Sequence, residues 1–370
     1  MAAQPRAFGF TLLRLSPFHF EPTLFARAAA SMRRLSRCLS TVPILSATEA
    51  LTRWRAVLPS RAASDMLACY SSQLGGIVTD PALMVVPIDD HGFHRGHAVF
   101  DTCNVAEGRA FGLTMHLDRL LGSAKQARIV DDAGASHAYR ESLRSLVLQT
   151  IAATGRRDNL FVRYWLTVGR GDFSISPKGL TGGPCFYCVA HEDSHTAEEP
   201  RGVHACIVPT PLKPPFLATM KSNNYLLNAL VAMDAEAAGA DLGIQIEDGV
   251  LAESAVSTIA IVDSDGVLRS PPAQRILRST TWVRAIALAE SLVADGTLSR
   301  VESASHITEQ ELRGAREVLN LGGGWLSPIV SLDGVPIGDG EPGPVFRALD
   351  PAVRAEFADP EMSDPIPYAS

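Results

Sequence analysis

Two kinds of hydrophobic pattern follow one another along the chain from position 65 onward. Runs rich in β-branched and aromatic residues, bounded by turn residues, predict strands at 66–72, 83–86, 160–168, 185–190, 203–208, 242–247 and 258–262. Apolar residues that recur every three or four positions predict helices at 116–127, 136–153, 223–238 and 281–294. Because helices and strands do not alternate strictly, the order favours an α+β fold over a doubly wound parallel sheet.

A polar stretch interrupts this pattern near the middle of the chain. Residues 191–201 include four acidic residues and a proline, which is typical of a connecting segment. We therefore predict a smaller N-terminal α+β domain at 63–190, a linker at 191–201 and a larger C-terminal domain at 202–370. The length of 370 residues is also typical of two domains.

The first residues differ in composition from the rest of the chain. Residues 1–48 contain six arginines, no lysine and one acidic residue, Glu21. This balance is typical of an organellar transit peptide, for a plastid or a mitochondrion. We predict that residues 1–62 are such a leader. The alternative is that translation begins at Met32 or Met66 and that the preceding residues are not made.

The overall composition excludes several classes of protein. With 46% hydrophobic and 20% charged residues and no apolar run long enough for a membrane helix, the sequence predicts a soluble globular protein. A net charge of −7 argues against a nucleic-acid partner. Cys185 and Cys188 form a CxxC pair on a predicted strand, where residues three apart point to opposite faces, so we predict no metal site.

A lysine stands out among the residues that could carry chemistry. The chain has no Rossmann, Walker, HExxH or GxSxG motif. Lys221 is the only lysine after Lys213, and it stands where a predicted helix begins, in a chain that uses arginine for most positive charges. Such a lysine indicates a role that needs a deprotonatable amine, such as Schiff-base formation. The alternative is a solvated lysine at a helix N-terminus.

Several ordered segments resemble the class IV family of pyridoxal-phosphate aminotransferases. They include Lys221 followed by an Asn-Tyr pair, the stretch 239–254 with its Asp-Gly turn and Glu253, and the segments 88–101, 116–120 and 276–281. The resemblance spans residues 70–353, and 75–81 and 162–166 look most like the plant-type D-amino-acid transaminase or aminodeoxychorismate lyase branch. It implies a two-domain, fold type IV enzyme, with pyridoxal 5'-phosphate at the domain interface and a homodimeric assembly.

The resemblance also implies a role for each matching residue. Lys221 would bind the cofactor as a Schiff base and move the proton, while Glu253 would keep the pyridine nitrogen protonated. Tyr225 could hydrogen-bond the ring hydroxyl. The phosphate would be bound by Arg119, the Thr281 hydroxyl and the backbone N–H groups of Thr280 and Ser257.

The chain also departs from the family pattern. Serines replace glycines at positions 254 and 279, and Asn104 stands where branched-chain enzymes resemble one another in having arginine. The carboxylate trap of bacterial D-amino-acid enzymes is missing from 169–177, which leaves Arg163 and Arg170 as candidates for the substrate carboxylate. Phe100 replaces a tyrosine of those enzymes and is a further candidate substrate contact.

Three hypotheses about function follow. The first is transamination of D-amino acids with 2-oxo acids. The second is the lyase reaction that releases pyruvate and 4-aminobenzoate from aminodeoxychorismate for folate synthesis. The third is a non-catalytic relative that binds the cofactor, which the intact set of Lys221, Glu253 and Arg119 disfavours.

Overall fold

Two large β-sheets organise the chain in the computed structural model, which describes residues 42–59, 65–193 and 202–368. Residues Ser46–Ser370 form one compact unit. Most of the predicted leader, at 1–41 and 60–62, and most of the predicted linker, at 194–201, lie outside the described residues.

Within the described ranges, the strands in chain order are β1 Met66–Ser71, β2 Gly76–Val78, β3 Ala98–Ala106, β4 Arg109–Phe111, β5 Leu160–Thr167, β6 Arg170–Gly171, β7 Leu180–Thr181, β8 Cys185–Glu192, β9 Val203–Val208, β10 Leu242–Glu247, β11 Val250–Ser254, β12 Thr258–Val262, β13 Val267–Arg269, β14 Arg300–Glu302, β15 Glu317–Gly322, β16 Trp325–Leu332, β17 Val335–Pro336 and β18 Ser363–Pro365. The helices are α1 Ala47–Val57, α2 His91–Arg95, α3 Leu113–Gln126, α4 His137–Ala152, α5 Pro215–Ala218, α6 Leu226–Ala237, α7 Thr280–Ala294, α8 Glu309–Arg313 and α9 Pro344–Ala355.

The first sheet is antiparallel, with strand order β18-β4-β3-β5-β8-β1-β2. Apolar residues of α3 and α4 recur every three or four positions and pack on one face of the sheet, against alternate residues of β3 and β5 such as Val99 and Val162. Phe100 and Thr102 of β3, paired with Trp165 and Arg163 of β5, therefore point to the opposite face.

The second sheet is mixed, with the order β11-β10-β9-β16-β15-β12-β13-β14. Strand β9 runs parallel to both β10 and β16, and β13 runs parallel to β14. Helices α7 and α9 form one apolar core with β12, β13, β15 and β16, while α6 packs on β9. Glu253 lies on β11 of this sheet, and the N-terminus of α7 lies near it.

The segment that carries Lys221 joins the two halves of the molecule. The Phe100 N–H donates to the carbonyl oxygen of Lys221 at 2.9 Å, and the Asn223 N–H donates to the carbonyl oxygen of Ala98 at 2.9 Å. These bonds attach the segment to β3 of the first sheet. Lys221 is therefore held by backbone pairing before α6 begins.

Most predicted elements are confirmed, but two predictions need correction. The predicted strand at 83–86 is wrong: Pro81–Leu83 forms a 3-10 helix that Asp80 caps, and irregular chain follows. The predicted helix at 223–238 begins only at Leu226, because Asn223 is paired to β3 instead. Among the longer elements, strands β3, β15 and β16 and helices α1 and α9 are not predicted by the sequence pattern.

The domain boundaries stay predictions, to which the structure adds two observations. Strand β8 continues to Glu192, into the segment predicted as a linker. Strand β18, near the C-terminus, pairs with β4 of the first sheet. Among the described residues, no helix is both long enough and apolar enough to span a bilayer, and no cluster of side chains suits a metal ion.

Candidate active site

A pocket of about 590 Å³, open to solvent, collects six of the ten predicted site residues. They are Arg119, Lys221, Tyr225, Glu253, Ser257 and Thr280. The same pocket is lined by Asp101, His116, Lys213 and Asn228, for which the sequence predicts no role. Residues from both sheets therefore meet at one cavity.

Lys221 points its amine at two aromatic rings. The Nζ atom lies 3.4 Å from the hydroxyl oxygen of Tyr225 and 4.8 Å from the ring centroid of Phe100. Burial disfavours the ammonium form and lowers the pKa of Lys221 to about 8. A large fraction of this amine is therefore neutral, and able to act as a nucleophile, in mildly alkaline solution.

Tyr225 follows the lysine segment and immediately precedes α6. Its ring packs edge-on against Phe100, with the ring centroids 5.0 Å apart. Burial raises the pKa of Tyr225 to about 12, so its hydroxyl keeps its proton near neutrality. Tyr225 can therefore donate a hydrogen bond into the pocket.

Glu253 supplies a carboxylate on the wall formed by β11. Glu253 is only 7% exposed, and its Oε2 atom accepts a hydrogen bond from the backbone N–H of Leu277 at 3.4 Å. The Nζ atom of Lys213 lies 3.7 Å from Oε1. Burial raises the pKa of Glu253, while the Lys213 ammonium and the Leu277 N–H act in the opposite direction.

Arg119 is fixed by a buried carboxylate. Its Nε and one terminal nitrogen donate to the two oxygens of Asp101 at 2.8 and 2.7 Å, and His116 lies 3.0 Å from Asp101. Burial alone would raise the pKa of Asp101, but Arg119 and His116 outweigh it and hold that pKa well below its usual range. Asp101 thus orients the guanidinium, whose other terminal nitrogen donates to the carbonyl oxygen of Arg278 at 3.2 Å.

The side of the pocket near α7 is rich in hydroxyls. Ser257 and Thr280 line it, and Thr280 is the first residue of α7, where free backbone N–H groups favour an anion. The Ser257 N–H, predicted to bind phosphate, donates to the Ser254 hydroxyl at 3.1 Å. The Thr281 hydroxyl accepts the Gly324 N–H at 3.0 Å and lines a smaller adjoining pocket instead.

The predicted substrate contacts fall into two groups. Arg163 lies beside Phe100, with 5.8 Å between its guanidinium carbon and the ring centroid, and its Nε donates to the Thr102 hydroxyl at 3.0 Å. Arg170 forms an ion pair with Asp89 at 2.9 Å and does not line the Lys221 pocket. The structure therefore brings Arg163 near the cluster and leaves Arg170 outside it.

Three pocket residues were missed for identifiable reasons. Asp101 and His116 lie inside segments that resemble the family, but their partnership with Arg119 depends on the packing of β3 against α3. Lys213 had one signal, since the chain contains only four lysines. Its partner Glu253 lies 40 positions later in the chain, so the ion pair produces no local sequence motif.

Comparison with known proteins supports this picture. A family model described as amino-transferase class IV matches residues 98–332. The chain is 39% identical over 311 residues to the chloroplastic D-amino-acid transaminase of Arabidopsis thaliana, covering 83% of this chain and 80% of the relative. It is 28% identical over 273 residues to the D-alanine aminotransferase of Bacillus licheniformis, covering 73% of this chain and 90% of that relative.

Solved structures show the same fold. The crystal structure of a branched-chain aminotransferase from Thermoproteus uzoniensis matches with a TM-score of 0.70 at 23% sequence identity, covering 81% of this chain and 99% of that chain. This likeness confirms the predicted α+β architecture.

Proposed function

The chain belongs to the class IV aminotransferase family, and we propose that it transfers amino groups between D-amino acids and 2-oxo acids with pyridoxal 5'-phosphate as cofactor. The observation that carries the proposal is the single pocket in which Lys221, Glu253 and Arg119 meet. The names of two relatives, a D-amino-acid transaminase and a D-alanine aminotransferase, support the choice of D-amino acids.

The residues of the pocket fit this cofactor chemically. An aldehyde needs an amine with a neutral fraction, and burial gives Lys221 such an amine. A protonated pyridine nitrogen needs an anionic partner, and Glu253 is a buried carboxylate in the same cavity. A phosphate needs cationic and N–H donors, which Arg119 and the N-terminus of α7 provide.

Each side chain then has one task. Lys221 would hold the cofactor through its amine and would move the proton at the substrate α-carbon. Glu253 would keep the pyridine nitrogen protonated, and the Tyr225 hydroxyl would donate a hydrogen bond to the ring hydroxyl. Arg119, oriented by Asp101, would donate hydrogen bonds to the phosphate. When bound, the cofactor supplies the electron sink that weakens the bonds to the α-carbon.

Arg163 is the best placed of the two predicted residues to bind the substrate carboxylate. It lies beside Phe100, whose ring is 4.8 Å from the Lys221 amine. Arg170 is paired with Asp89 and does not line the Lys221 pocket. A guanidinium on the open face of the first sheet can form a bidentate pair with a carboxylate, which gives both affinity and orientation.

We also propose a homodimer and a location in a plastid. The location is supported by the acid-poor residues 1–48 and by the chloroplastic relative from Arabidopsis thaliana. The homodimer is supported by the resemblance to the family. Sedimentation of the purified protein measures the assembly directly.

A substrate comparison tests the proposed reaction. We expect the purified enzyme with added cofactor to transfer the amino group of D-alanine to 2-oxoglutarate with a kcat/KM at least tenfold above that for L-alanine or L-leucine. Lys221→Ala should abolish turnover, while Lys178→Ala, at an exposed lysine, should leave it unchanged.

The lyase alternative is measured under the same conditions. Pyruvate release from aminodeoxychorismate, without an added 2-oxo acid, should have a lower kcat/KM than D-alanine transamination. A higher value would replace the proposed reaction with the lyase reaction. A higher kcat/KM for L-leucine would replace it with branched-chain transamination.

A further inference from the structure

A second lysine lies in the pocket without a task in the proposed reaction. The side chain of Lys213 is only 8% exposed, and its Nζ atom lies 3.7 Å from Oε1 of Glu253. The same atom lies 5.2 Å from the ring centroid of Tyr225. A buried ammonium is destabilising unless it is paired with a negative charge. The Glu253 carboxylate is that partner for Lys213.

The backbone that carries Lys213 is held in place by the second sheet. The amide nitrogen of Gln245 on β10 donates to the carbonyl oxygens of Thr210 and Pro211 at 3.1 and 2.9 Å. Gln245 is 5% exposed, and Pro214 follows the lysine directly. Because proline and these two bonds restrict the segment, the ammonium is presented to Glu253 by a rigid support.

Glu253 needs this support for an electrostatic reason. It can hold a proton on the pyridine nitrogen only while it is itself ionised, and its burial opposes ionisation. The titratable groups that face it across the pocket are Lys213, Lys221 and Tyr225. Only Lys213 forms an ion pair with it among the described residues, and Lys221 must be neutral to act.

We propose that Lys213 is a positioning residue that keeps Glu253 ionised and directs it toward the pyridine nitrogen of the cofactor. This inference rests on the proposed function, because it gives Lys213 a role through Glu253. It also assigns the two lysines different tasks. Lys221 is the nucleophile, and Lys213 remains a cation throughout the reaction.

Two substitutions separate charge from packing. Lys213→Met removes the charge and keeps an unbranched side chain, and Lys213→Arg keeps the charge. We expect Lys213→Met to lower kcat for D-alanine at least tenfold with KM changed less than threefold, and Lys213→Arg to recover most of the loss. Lys125→Met, at a solvent-exposed ion pair with Asp132, is the matched control and should behave as wild type.

A binding measurement gives a readout that does not depend on turnover. The dissociation constant of pyridoxal 5'-phosphate is titrated against pH with the cofactor-free protein. Removing the Lys213 charge makes Glu253 protonate at a higher pH, so cofactor binding by Lys213→Met should begin to weaken at a higher pH than in the wild type. In a Glu253→Gln background the same substitution should have no further effect. Equal pH profiles, or additive losses in the double variant, would overturn the proposal.

Infrared difference spectra of the cofactor-free protein test the role of Lys213 separately from the proposed transaminase function. Lys213→Met should show a protonated carboxyl band at neutral pH that is absent from the wild type and from the Lys213→Met/Glu253→Gln double variant. If the wild type fails to bind the cofactor, the proposed function fails while this band still decides the role of Lys213. Finding the pyridoxyl group on Lys213 after borohydride reduction would contradict the assignment of both lysines.

Discussion

The Lys221 amine owes its reactivity to its surroundings rather than to its residue type. The pocket wall removes water from the amine, and the nearby guanidinium of Arg119 adds to the effect, so the pKa falls to about 8. Asp101 acts against this shift, but Arg119 and His116 already share its charge. The neutral amine thus results from burial and from the pairing of Asp101 with Arg119 and His116.

This environment predicts selective labelling of Lys221. When the cofactor-free enzyme is treated with trace acetic anhydride at increasing pH, acetylation of Lys221 should rise with a midpoint near pH 8. A lysine model peptide, whose amine has a pKa of about 10.4, provides the reference in the same solution. Peptide mass spectrometry measures both. A midpoint for Lys221 at or above that of the peptide would show that burial does not tune this amine.

Individual pocket residues differ in how far the sequence could reveal them. Lys221 and Glu253 stand in ordered motifs, so their meeting in one pocket was predictable. The serine at position 254 could be noticed but not explained, whereas the structure shows its hydroxyl oxygen 2.6 Å from that of Ser257. Lys213 was not predictable, because its ion pair with Glu253 forms only when distant segments pack together.

Among the secondary-structure elements, α9 begins at a carboxylate from another element. Glu317, the first residue of β15, accepts the backbone N–H groups of Val345 and Phe346 at 2.9 and 3.0 Å. The first turn of a helix has N–H groups without intrahelical partners, and a negative charge there is also favourable. Glu317 therefore fixes α9 to the core of the second sheet.

Removal of this cap should destabilise the protein. Glu317→Ala leaves two buried N–H groups unsatisfied, so we expect the free energy of unfolding to fall by about 2–4 kcal/mol. Glu317→Gln, which keeps one acceptor oxygen, should cost less. Denaturant unfolding of the cofactor-free protein measures both, and Glu341→Ala, at an exposed residue, is the control. A loss equal to that of the control would exclude a capping role.

Two errors of the sequence-based prediction, the missed strand β3 and the wrongly predicted strand at 83–86, have a physical explanation. Strand β3 carries the polar residues Asp101, which lines the pocket and contacts α3, and Asn104, which donates to the carbonyl oxygen of Gly323. Its apolar alternation is therefore broken. The segment 83–86, by contrast, is apolar in sequence but is not part of a sheet. Its apolar residues are 40% exposed at Leu83 and 50% at Val86, so its hydrophobic pattern does not correspond to burial in a sheet. Where function or surface position governs composition, periodicity predicts poorly.

At the scale of the whole molecule, the pocket lies where the two sheets are connected. The Lys221 segment pairs with β3 of the first sheet, while Glu253 and the N-terminus of α7 come from the second half. A change in the relative position of the two sheets would therefore separate the amine from the carboxylate. The backbone pairing of residues 221 and 223 with β3 fixes the position from which the Lys221 side chain extends.

The position of α1 predicts where the mature chain begins. Ser46 and Glu49 form a capping box at its start, in which the Glu49 side chain accepts the Ser46 N–H at 2.9 Å. Arg55 forms an ion pair with Asp80 at 2.6 Å, and residues from Ser46 onward belong to the compact unit. Proteases cut exposed, unstructured segments in preference to docked helices.

We therefore expect mass spectrometry of the protein from its native cells to find an N-terminus at or before Ser46, rather than near residue 62. Recombinant chains starting at residues 46 and 63 provide the comparison. The longer chain should unfold at a temperature higher by about 1–2 °C, because an exposed ion pair and a surface helix without buried residues contribute only about 1 kcal/mol. A native N-terminus after Val57 would show that α1 belongs to the leader, and an intact Met1 would show that no leader is removed.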